Sequence, residues 1–350
     1  MWHLLFTQGI NMKKLNLIDK LIYLLNGIVA VVLLLAYLLP FVAPKTVSIL
    51  SVLSLSVPVL LLLNVLFCLY WLLKVKKQMM LSLVVLLLGY DSLSTLYKFS
   101  SVEKNTNTSL SVMSYNVRLF NIYDWIATPN IENEIQQFVL TENVDVVAFQ
   151  EYHPHKNFNL ASYPYKYESL SGGKTKYGQA IFSKYKIING GKIEFSSTDN
   201  KAIYVDVLKE SDTIRIYNVH FESLHINPDV AHLSEQNTEH LVKRIGKRFE
   251  MQQEQAKLVL THQEECGYKK IILGDFNNTA YSYIYKQFKN EGYSDAFEVA
   301  GSGFGKTFNF KFFPLRIDFI LVDENLGVAQ FSNFNHKYSD HYPIKATVSW

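Results

Sequence analysis

Residues 271–277 read Ile-Ile-Leu-Gly-Asp-Phe-Asn, and residues 338–341 read Tyr-Ser-Asp-His. In the first stretch an apolar strand ends on Asp275 and Asn277, which the two-residue period of a strand places on the same face. In the second stretch the carboxylate of Asp340 lies directly beside the imidazole of His341. One such cluster is weak evidence of function. Two clusters, with further polar residues after other apolar runs, predict a site that cleaves phosphoesters.

Short strand-like runs alternate with helical stretches over residues 110–350, which predicts an α/β domain. Several of the runs are continuously apolar, as expected for strands that are covered on both faces. Helices are predicted at 131–141 and at about 235–263. The predicted strands are 110–117, 144–149, 178–182, 203–207, 213–219, 270–273, 317–322 and 342–348.

Polar residues also stand at the ends of other predicted strands. Rigid strand ends often carry the functional groups of α/β folds. Taken alone, each residue can also be explained by a structural role, such as an asparagine that caps a turn or a hydrogen-bonded histidine. Asp318 is harder to dismiss, because it interrupts an apolar run and a buried charge needs a partner. The residues are Asn116, Glu151, Asn218, His220 and Asp318.

The order of these motifs resembles the endonuclease/exonuclease/phosphatase superfamily, whose members share the deoxyribonuclease I-like fold. The resemblance spans residues 110–350 and implies a four-layer α/β sandwich that hydrolyses phosphoesters with Mg²⁺, Mn²⁺ being the alternative ion. Arg118 departs from the pattern, since some apurinic-type nucleases of the family carry an acidic residue there. The matching segments are 112–117, Gln150-Glu151, Gly178–Ser183, 214–220, Gly274–Asn277, Asp318 and Ser339–His341.

The resemblance and the chemistry of the side chains together suggest roles for these residues. The hydrolysis needs an oriented water, charge neutralisation at the phosphate and an acid for the leaving group. His341, with Asp318 as its expected partner, is a candidate base or phosphate-binding cation, and His220 is a candidate general acid or electrophile. The predicted catalytic residues are His220, Asp275, Asn277, Asp318 and His341. The predicted metal ligands are Asn116, Glu151 and Asp340, and the predicted phosphate-binding residues are Asn218, Thr307 and Arg316.

The first hundred residues differ sharply from the rest. They contain eight Lys, two Asp and no Arg or Glu, a net charge of +6, whereas residues 101–350 carry −3. Three apolar runs, 21–39, 47–73 and 79–96, predict three transmembrane helices, since about 20 apolar residues cross a bilayer. The first run is too long for a signal peptide and lacks a cleavage site. The predicted organisation is a membrane region (1–99), a linker (100–109) and a catalytic domain (110–350).

Lysines in the short loops predict the orientation. Lys13, Lys14 and Lys20 precede the first run, and three more lysines lie at 74–77, whereas Lys45 alone lies between the first two runs. The N-terminus is therefore expected in the cytoplasm. The chain is predicted to be an integral protein of the plasma (inner) membrane with its catalytic domain on the non-cytoplasmic side. Met1 and Met12 are both candidate start residues, and Met12-Lys13-Lys14 looks like a more usual start than the preceding eleven residues.

Two substrate classes and one alternative to catalysis stay open. A phosphoester in a nucleic acid or in a phospholipid head group fits the predicted site, and the bilayer is the other expected partner. The charge of −3 gives no support to strong non-specific nucleic-acid binding, which relies on Lys and Arg. Leu273 and residues 315–317 depart from the pattern of the inositol polyphosphate phosphatases. The alternative is a catalytically inactive, membrane-tethered binding module of the same fold.

Overall fold

The computed structural model describes residues 15–99, 108–173, 175–196, 198–224, 238–310 and 313–350. Both candidate start residues, Lys13, Lys14 and positions 100–107 of the predicted linker lie outside the described residues. Ser109, which was assigned to the linker, is the first residue of strand β1. The strand therefore begins one residue before the predicted domain boundary, and the linker stays a prediction.

Two six-stranded sheets form the C-terminal domain in the described part of the chain. Their strand orders are β11-β12-β1-β2-β4-β3 and β5-β6-β7-β8-β10-β9. The first sheet contains β1 (Ser109–Asn116), β2 (Val146–Tyr152), β3 (Tyr165–Ser171), β4 (Tyr177–Ser183), β11 (Gly327–Asn333) and β12 (Ile344–Ser349). The second contains β5 (Lys186–Glu194), β6 (Lys201–Lys209), β7 (Asp212–His220), β8 (Lys269–Asp275), β9 (Ser294–Asp295) and β10 (Asp318–Val322).

In the sandwich, helices pack on the outer faces of the two sheets, except the short helix Ala296–Ala300, which packs in the apolar layer between the sheets. The nine described helices, in chain order, are α1 (Leu17–Ala36), α2 (Ser48–Leu53), α3 (Val57–Leu73), α4 (Met79–Leu88), α5 (Tyr90–Leu96), α6 (Ile131–Glu142), α7 (Thr238–Glu264), α8 (Tyr283–Asn290) and α9 (Ala296–Ala300). Parallel strands need a long crossover connection. Helix α6 lies between the parallel pair β1 and β2, and α7 lies between the parallel pair β7 and β8.

The side-chain alternation of the strands explains the layers. Val112 of β1 and Leu273 of β8 belong to the apolar layer between the two sheets. Met113 faces the opposite way and packs in the cluster that contains α6, whereas Ile272 packs in the cluster that contains α7 and α8. The order from one side to the other is helix, sheet, sheet and helix. The predicted α/β sandwich is confirmed.

The N-terminal helical region (residues 15–99) contains two helical segments long and apolar enough to cross a membrane, Leu17–Phe41 and Ser48–Leu73. The third predicted helix is not a straight one. Helices α4 and α5 meet at an angle of 83°, so they count as a third span only if the bent pair is taken as one. The bend lies at Gly89, where a Cβ atom would be 1.9 Å from the ring of Tyr37. Three spans are therefore not clearly present.

Buried polar side chains connect these apolar helices. Asn26 donates to Ser82 Oγ at 2.6 Å, and its own Oδ1 accepts a hydrogen bond from Trp71 Nε1 at 3.1 Å. The contact joins α1, α3 and α4. Both side-chain polar atoms of the buried Asn26 thus have hydrogen-bond partners, as buried polar groups require.

The N-terminal helical region packs directly against the sandwich. The backbone N–H of Lys45 donates to Gln253 Oε1 on α7 at 2.9 Å, and the hydroxyl of Thr95 donates to Glu298 on α9 at 2.7 Å. Lys98 forms a two-way backbone bridge with Gly303 at 2.8 and 2.9 Å. Lys45, Thr95 and Lys98 all belong to one end of the helical region. The cytoplasmic end predicted from the lysines is the other one.

Candidate active site

The topology brings the predicted strand ends to one edge of the sandwich. Strands β1 and β2 are parallel, and so are β7 and β8, so the four C-terminal ends lie on the same side. Strand β10 is antiparallel to β8 and begins opposite Asp275, and β12 is antiparallel to β1. Asp318 and the segment before β12 therefore reach the same edge from the opposite direction. Sequence-distant carboxylates and imidazoles meet there.

Gly274 is required by the approach of two strands at this edge. Its φ of +140° disfavours L side chains, and an added Cβ would lie 2.0 Å from the carbonyl oxygen of Val219 on β7. The backbones of β7 and β8 thus meet where Asp275 begins the site. Glu151 and Asn277 also have positive φ values, 48° and 49°. Strained backbones of this kind cluster at functional sites.

His341 is held between two buried carboxylates. Its Nδ1 atom lies 3.0 and 3.2 Å from the two carboxylate oxygens of Asp318, and its Nε2 atom lies 3.6 Å from Asp275 Oδ2. Burial lowers the pKa of His341, but the charges of Asp318 and Asp275 outweigh burial and raise the pKa to about 10. The imidazole is therefore a fixed cation at neutral pH.

His220 faces the same carboxylates from β7. Its Nε2 atom lies 3.8 Å from Asp275 Oδ2 and 3.9 Å from Glu151 Oε1. Burial is the largest influence and lowers the pKa of His220, although Asp275 opposes it. Burial raises the pKa of Asp275, and His341 only partly offsets this. The site thus combines one charged and one neutral imidazole with a carboxylate whose proton affinity is unusually high.

Asn116, at the end of β1, connects the carboxylates. Its Nδ2 atom donates to Asp275 Oδ2 at 3.0 Å and to Glu151 Oε1 at 3.4 Å, while its Oδ1 accepts from the backbone of Arg118 at 3.1 Å. The guanidinium of Arg118 binds Asp340 Oδ2 at 3.1 Å. The arginine that departs from the family pattern is therefore part of the site, in contact with a predicted metal ligand.

Ser339 belongs to the predicted Ser339–His341 motif but had no predicted role, and in the structure it is a positioning residue. Its hydroxyl donates to the carbonyl oxygen of Asn116 at 2.8 Å and accepts from the backbone N–H of His341 at 3.2 Å. This fixes the Ser339–His341 segment against β1. The signal available in the sequence was the hydroxyl residue directly before the Asp-His pair.

The donor set fits a divalent cation. Four carboxylates, on Glu151, Asp275, Asp318 and Asp340, meet the cationic groups of Arg118 and His341, so negative charge is in excess. Hard carboxylate oxygens are the ligands that Mg²⁺ prefers. One oxygen of Asp275, one oxygen of Asp318 and one nitrogen of His341 lie within 4.8 Å of one another. In that group, however, the Asp318 carboxylate and Nδ1 of His341 are already hydrogen-bonded to each other.

Among the predicted metal ligands, Glu151 is the most accessible carboxylate. Its side chain is 35% exposed and faces the cavity described below. The carboxylate of Asp340 is ion-paired with the guanidinium of Arg118. Asn116 turns its amide nitrogen toward the carboxylates, so its oxygen reaches a cation only after the amide rotates. The fit is therefore best at Glu151 and weakest at Asn116.

The structure does not bring the three predicted phosphate-binding residues into the cavity. Asn218 is fully buried between the sheets, where it donates to Phe149 O at 2.8 Å and accepts from Gln150 Nε2 at 2.7 Å. The hydroxyl of Thr307 accepts from the backbone N–H groups of residues 317 and 318. Arg316 is ion-paired with Asp295 in the protein interior. Each is held by a structural partner that a sequence does not reveal, although Nη2 of Arg316 is buried without a hydrogen-bond partner.

Asn277 lies at the site but not as a continuation of β8. The strand ends at Asp275, whose Oδ1 accepts from the Asn277 backbone N–H at 2.8 Å. The Asn277 side chain donates to the carbonyl oxygen of Phe221 at 3.0 Å. The expected sharing of a strand face is therefore wrong, because the backbone turns at Phe276. Asn277 nevertheless lines the cavity.

A cavity of about 560 Å³ opens onto the cluster and is lined by Glu151, Asp275, Asp340 and His341. Apolar side chains form much of its remaining wall. They include Phe308, Phe310 and Phe313 of the sandwich and, from the N-terminal helical region, Leu55 and Val59. The two aliphatic residues were not predicted as site residues, because they lie inside an apolar run that already had a role as a membrane span.

The sequence model of the endonuclease/exonuclease/phosphatase family matches residues 113–341, about two thirds of the chain. The chain belongs to the endonuclease/exonuclease/phosphatase family. Members of this family are hydrolases that act on phosphoester bonds and generally use a divalent metal. A second model, described as a domain of unknown function, matches residues 19–96. No curated protein gave a significant match to the sequence.

Solved structures show the same fold. An endonuclease/exonuclease/phosphatase from Bacteroides vulgatus is 22% identical with a TM-score of 0.54, and the match covers 69% of this chain and 99% of that one. The human Nocturnin catalytic domain with bound sulfate is 16% identical with a TM-score of 0.52, covering 73% and 97%. D. rerio TDP2 complexed with a single-strand DNA product is 18% identical with a TM-score of 0.52, covering 70% and 100%.

Proposed function

We propose that this family member is a membrane-anchored, divalent-cation-dependent phosphoesterase that hydrolyses phosphodiester or phosphomonoester bonds. The observation that carries the proposal is the buried contact of His341 with Asp318 and Asp275, which opens into a cavity beside Glu151. A charged imidazole buried against two carboxylates is costly to assemble for stability alone. Its presence at a cavity favours a catalytic role.

The imidazolium of His341 is suited to bind a phosphoryl oxygen. Asp318 holds its Nδ1 atom, so Nε2 is directed toward Asp275 and the cavity. A fixed positive charge at the phosphoryl group stabilises the charge that develops in the transition state. Because the ring is preoriented, little reorganisation is needed when substrate binds.

Asp275 is suited to orient and deprotonate the attacking water. Burial raises the pKa of Asp275 toward neutral pH. A general base is most effective when its pKa lies near the pH at which the enzyme works. The backbone N–H of Asn277 donates a hydrogen bond to the same carboxylate. His220, neutral at physiological pH and 3.8 Å from Asp275, can donate a hydrogen bond to the leaving oxygen.

The proposed metal ligands are Glu151, Asp340 and, after rotation of its amide, Asn116. A bound Mg²⁺ or Mn²⁺ would neutralise charge on the phosphate and lower the pKa of the water. Arg118 keeps Asp340 in place on the same side of the cavity. The excess negative charge of the carboxylate cluster supports this assignment.

We further propose that Leu17–Phe41 and, within Ser48–Leu73, helix α3 (Val57–Leu73) anchor the protein in the bilayer, with the sandwich on the non-cytoplasmic side. Short-loop lysines favour that orientation. The contacts of Lys45, Thr95 and Lys98 with the sandwich support it, because they lie at the end opposite the lysines of residues 74–77.

The test is a substrate panel on the full chain purified in mild detergent. It compares single-stranded DNA, RNA, sphingomyelin, phosphatidylinositol phosphates and bis(p-nitrophenyl) phosphate, each with Mg²⁺, Mn²⁺ or EDTA. We expect metal-dependent hydrolysis that His341→Ala lowers on the order of 10²–10⁴-fold. A folded protein that leaves every substrate intact with either ion would support the inactive binding module instead.

A further inference from the structure

The catalytic cluster lies between a polar cavity and an apolar one. Glu151 lines both the cavity of about 560 Å³ and a second cavity of about 420 Å³. The second cavity is lined mainly by polar side chains, among them Tyr177, Asp199 and Asn200. A phosphoester bound at Glu151 therefore has a polar surface on one side and an apolar surface on the other.

The apolar side is built jointly by the two parts of the chain. Leu55 packs against the core cluster of the second sheet, and Phe313 packs against the core cluster of the N-terminal helical region. The backbone bridge between Lys98 and Gly303 and the Lys45–Gln253 hydrogen bond hold the two parts together. The wall that contains Leu55 and Val59 is thus a fixed surface of the cavity.

The position of this wall relates the cavity to the bilayer. Leu55 is in the short 3₁₀ helix Ser54–Ser56 that directly precedes α3, and Val59 is in the first turn of α3. Helix α3 has 17 residues, a length of about 25 Å at 1.5 Å per residue. If α3 spans the membrane, Val59 lies where the helix leaves the apolar core, and the cavity opens at that surface. An amphiphilic substrate reaches the cavity without its apolar part entering water.

We propose that the substrate is a membrane phospholipid, whose head group occupies the polar cavity and whose acyl-chain side lies against Leu55 and Val59. The proposal rests on the proposed function, and makes these two residues determinants of specificity. In the reaction a water oxygen bonds to phosphorus and one phosphorus–oxygen ester bond breaks. The hydroxyl of the water ends on phosphorus and its other proton on the leaving oxygen.

Aromatic side chains in the same cavity also suit a second class of ligand. Phe308, Phe310 and Phe313 could stack on the bases of a single-stranded nucleic acid. Aliphatic side chains of Leu55 and Val59 offer no such stacking, and the −3 charge of residues 101–350 does not attract a polyanion. The observations favour the lipid, and nucleic acid becomes an outcome of the test.

The experiment uses the full chain reconstituted with Mg²⁺ in vesicles of phosphatidylethanolamine and phosphatidylglycerol. Three substrates are compared: the vesicle lipids, their deacylated glycerophosphodiesters and a single-stranded oligodeoxynucleotide. Products are measured by phosphorus NMR. We expect the wild type to hydrolyse the lipids at least about tenfold more efficiently than the deacylated compounds, a difference that corresponds to about 1.4 kcal/mol of binding.

A matched pair of valine variants tests the wall itself. Val59 lines the cavity and is 44% exposed, whereas Val47 is 41% exposed and does not line it. Val59→Ser should lower kcat/KM for the vesicle lipids roughly fivefold to tenfold, chiefly through KM, since apolar contacts bind ground and transition states alike. Val47→Ser should behave as the wild type. Both sites are exposed enough for the protein to fold.

The outcomes separate this proposal from the proposed function. Cleavage of the oligonucleotide but not of the lipids leaves a phosphoesterase and overturns the lipid substrate. Equal rates on lipids and deacylated compounds, or equal effects of Val59→Ser and Val47→Ser, also overturn it. Failure to hydrolyse any of the three, in a protein that also fails the panel above, overturns both.

Discussion

Replacement of Asp318 by Asn tests the proposed mechanism at its most constrained contact. Asp318 is 2% exposed and holds His341, itself 6% exposed, through Nδ1 at 3.0 Å. Asparagine keeps the shape of the side chain but removes the charge. His341 then retains only Asp275 as a close carboxylate partner, 3.6 Å from Nε2. The orientation and the charge of the imidazole are both weakened.

The expected loss follows from these contacts. Turnover should fall on the order of 10²–10⁴-fold, the usual contribution of a positioned acid–base group. His341→Ala should fall by a similar factor, and the double variant should not lose the product of the two, because residues that act as one unit are non-additive. Breaking a buried pair costs about 3–5 kcal/mol, and the remaining Asp275 contact favours the lower end.

The direction of the pH effects is fixed by the raised pKa of His341. If the imidazolium is the active form, activity falls as pH rises through a pKa of about 10. Asp318→Asn lowers that pKa, so the alkaline limb of the rate profile should move to lower pH. The pairing stabilises the fold fully below the unfolded pKa of about 6.5, and this stabilisation is lost as pH rises toward 10. Wild type and variant should therefore differ more in melting temperature at pH 6 than at pH 10.

The assay measures turnover, the pH–rate profile and thermal unfolding on the same preparations in detergent, with bis(p-nitrophenyl) phosphate as substrate. A purely structural role for the pair predicts a lower melting temperature with turnover per folded molecule retained. Turnover within a few-fold of wild type, or an alkaline limb that does not move, would refute the reasoning.

Three further predictions address the metal, the backbone and the topology. Glu151→Gln should lower activity and raise the Mg²⁺ concentration needed for half-maximal rate, because it removes a charged oxygen ligand; an unchanged Mg²⁺ dependence would remove Glu151 from the ligand set. Gly274→Ala should destabilise the protein by about 3 kcal/mol or more in a denaturant titration, since its Cβ meets Val219 O and its φ is positive; wild-type stability would contradict the close approach of β7 and β8. Reporters fused after Trp350 should behave as non-cytoplasmic, so that a phosphatase fusion is active and a fluorescent-protein fusion is dark. The reverse pattern would overturn the orientation but not the enzyme.

The strands that the sequence predicted are the interior strands of the two sheets. All eight predicted strands exist, and each has a neighbour on both sides. The four missed strands, β3, β5, β9 and β11, are the sheet edges. Interior strands are buried on both faces and read as apolar runs. Edge strands carry polar and exposed residues that limit pairing with other chains, which removes the periodic signal. Strand β5 contains Asn189, Gly190 and Gly191 and shows this directly.

The site was predictable to the extent that it depends on strand ends. The structure brings His220, Asp275, Asp318 and His341 together because topology places those ends at one edge. The residues predicted to bind phosphate do not line the cavity, for a different reason. Arg316 lies between the rings of Phe297 and Phe319, with its charge balanced by Asp295. Its role depends on tertiary partners, which no local pattern identifies.

The contact between the N-terminal helical region and the sandwich changes how the anchor is understood. A flexible tether would let the catalytic domain act at a distance from the membrane. Here Tyr281 and Phe313 of the sandwich pack into the core cluster of the helical region, and Val52 packs in the opposite direction. Removing residues 15–99 would expose these apolar surfaces and take away one wall of the cavity. The two parts therefore form one structural unit, and the N-terminal helical region contributes to the shape of the proposed active site.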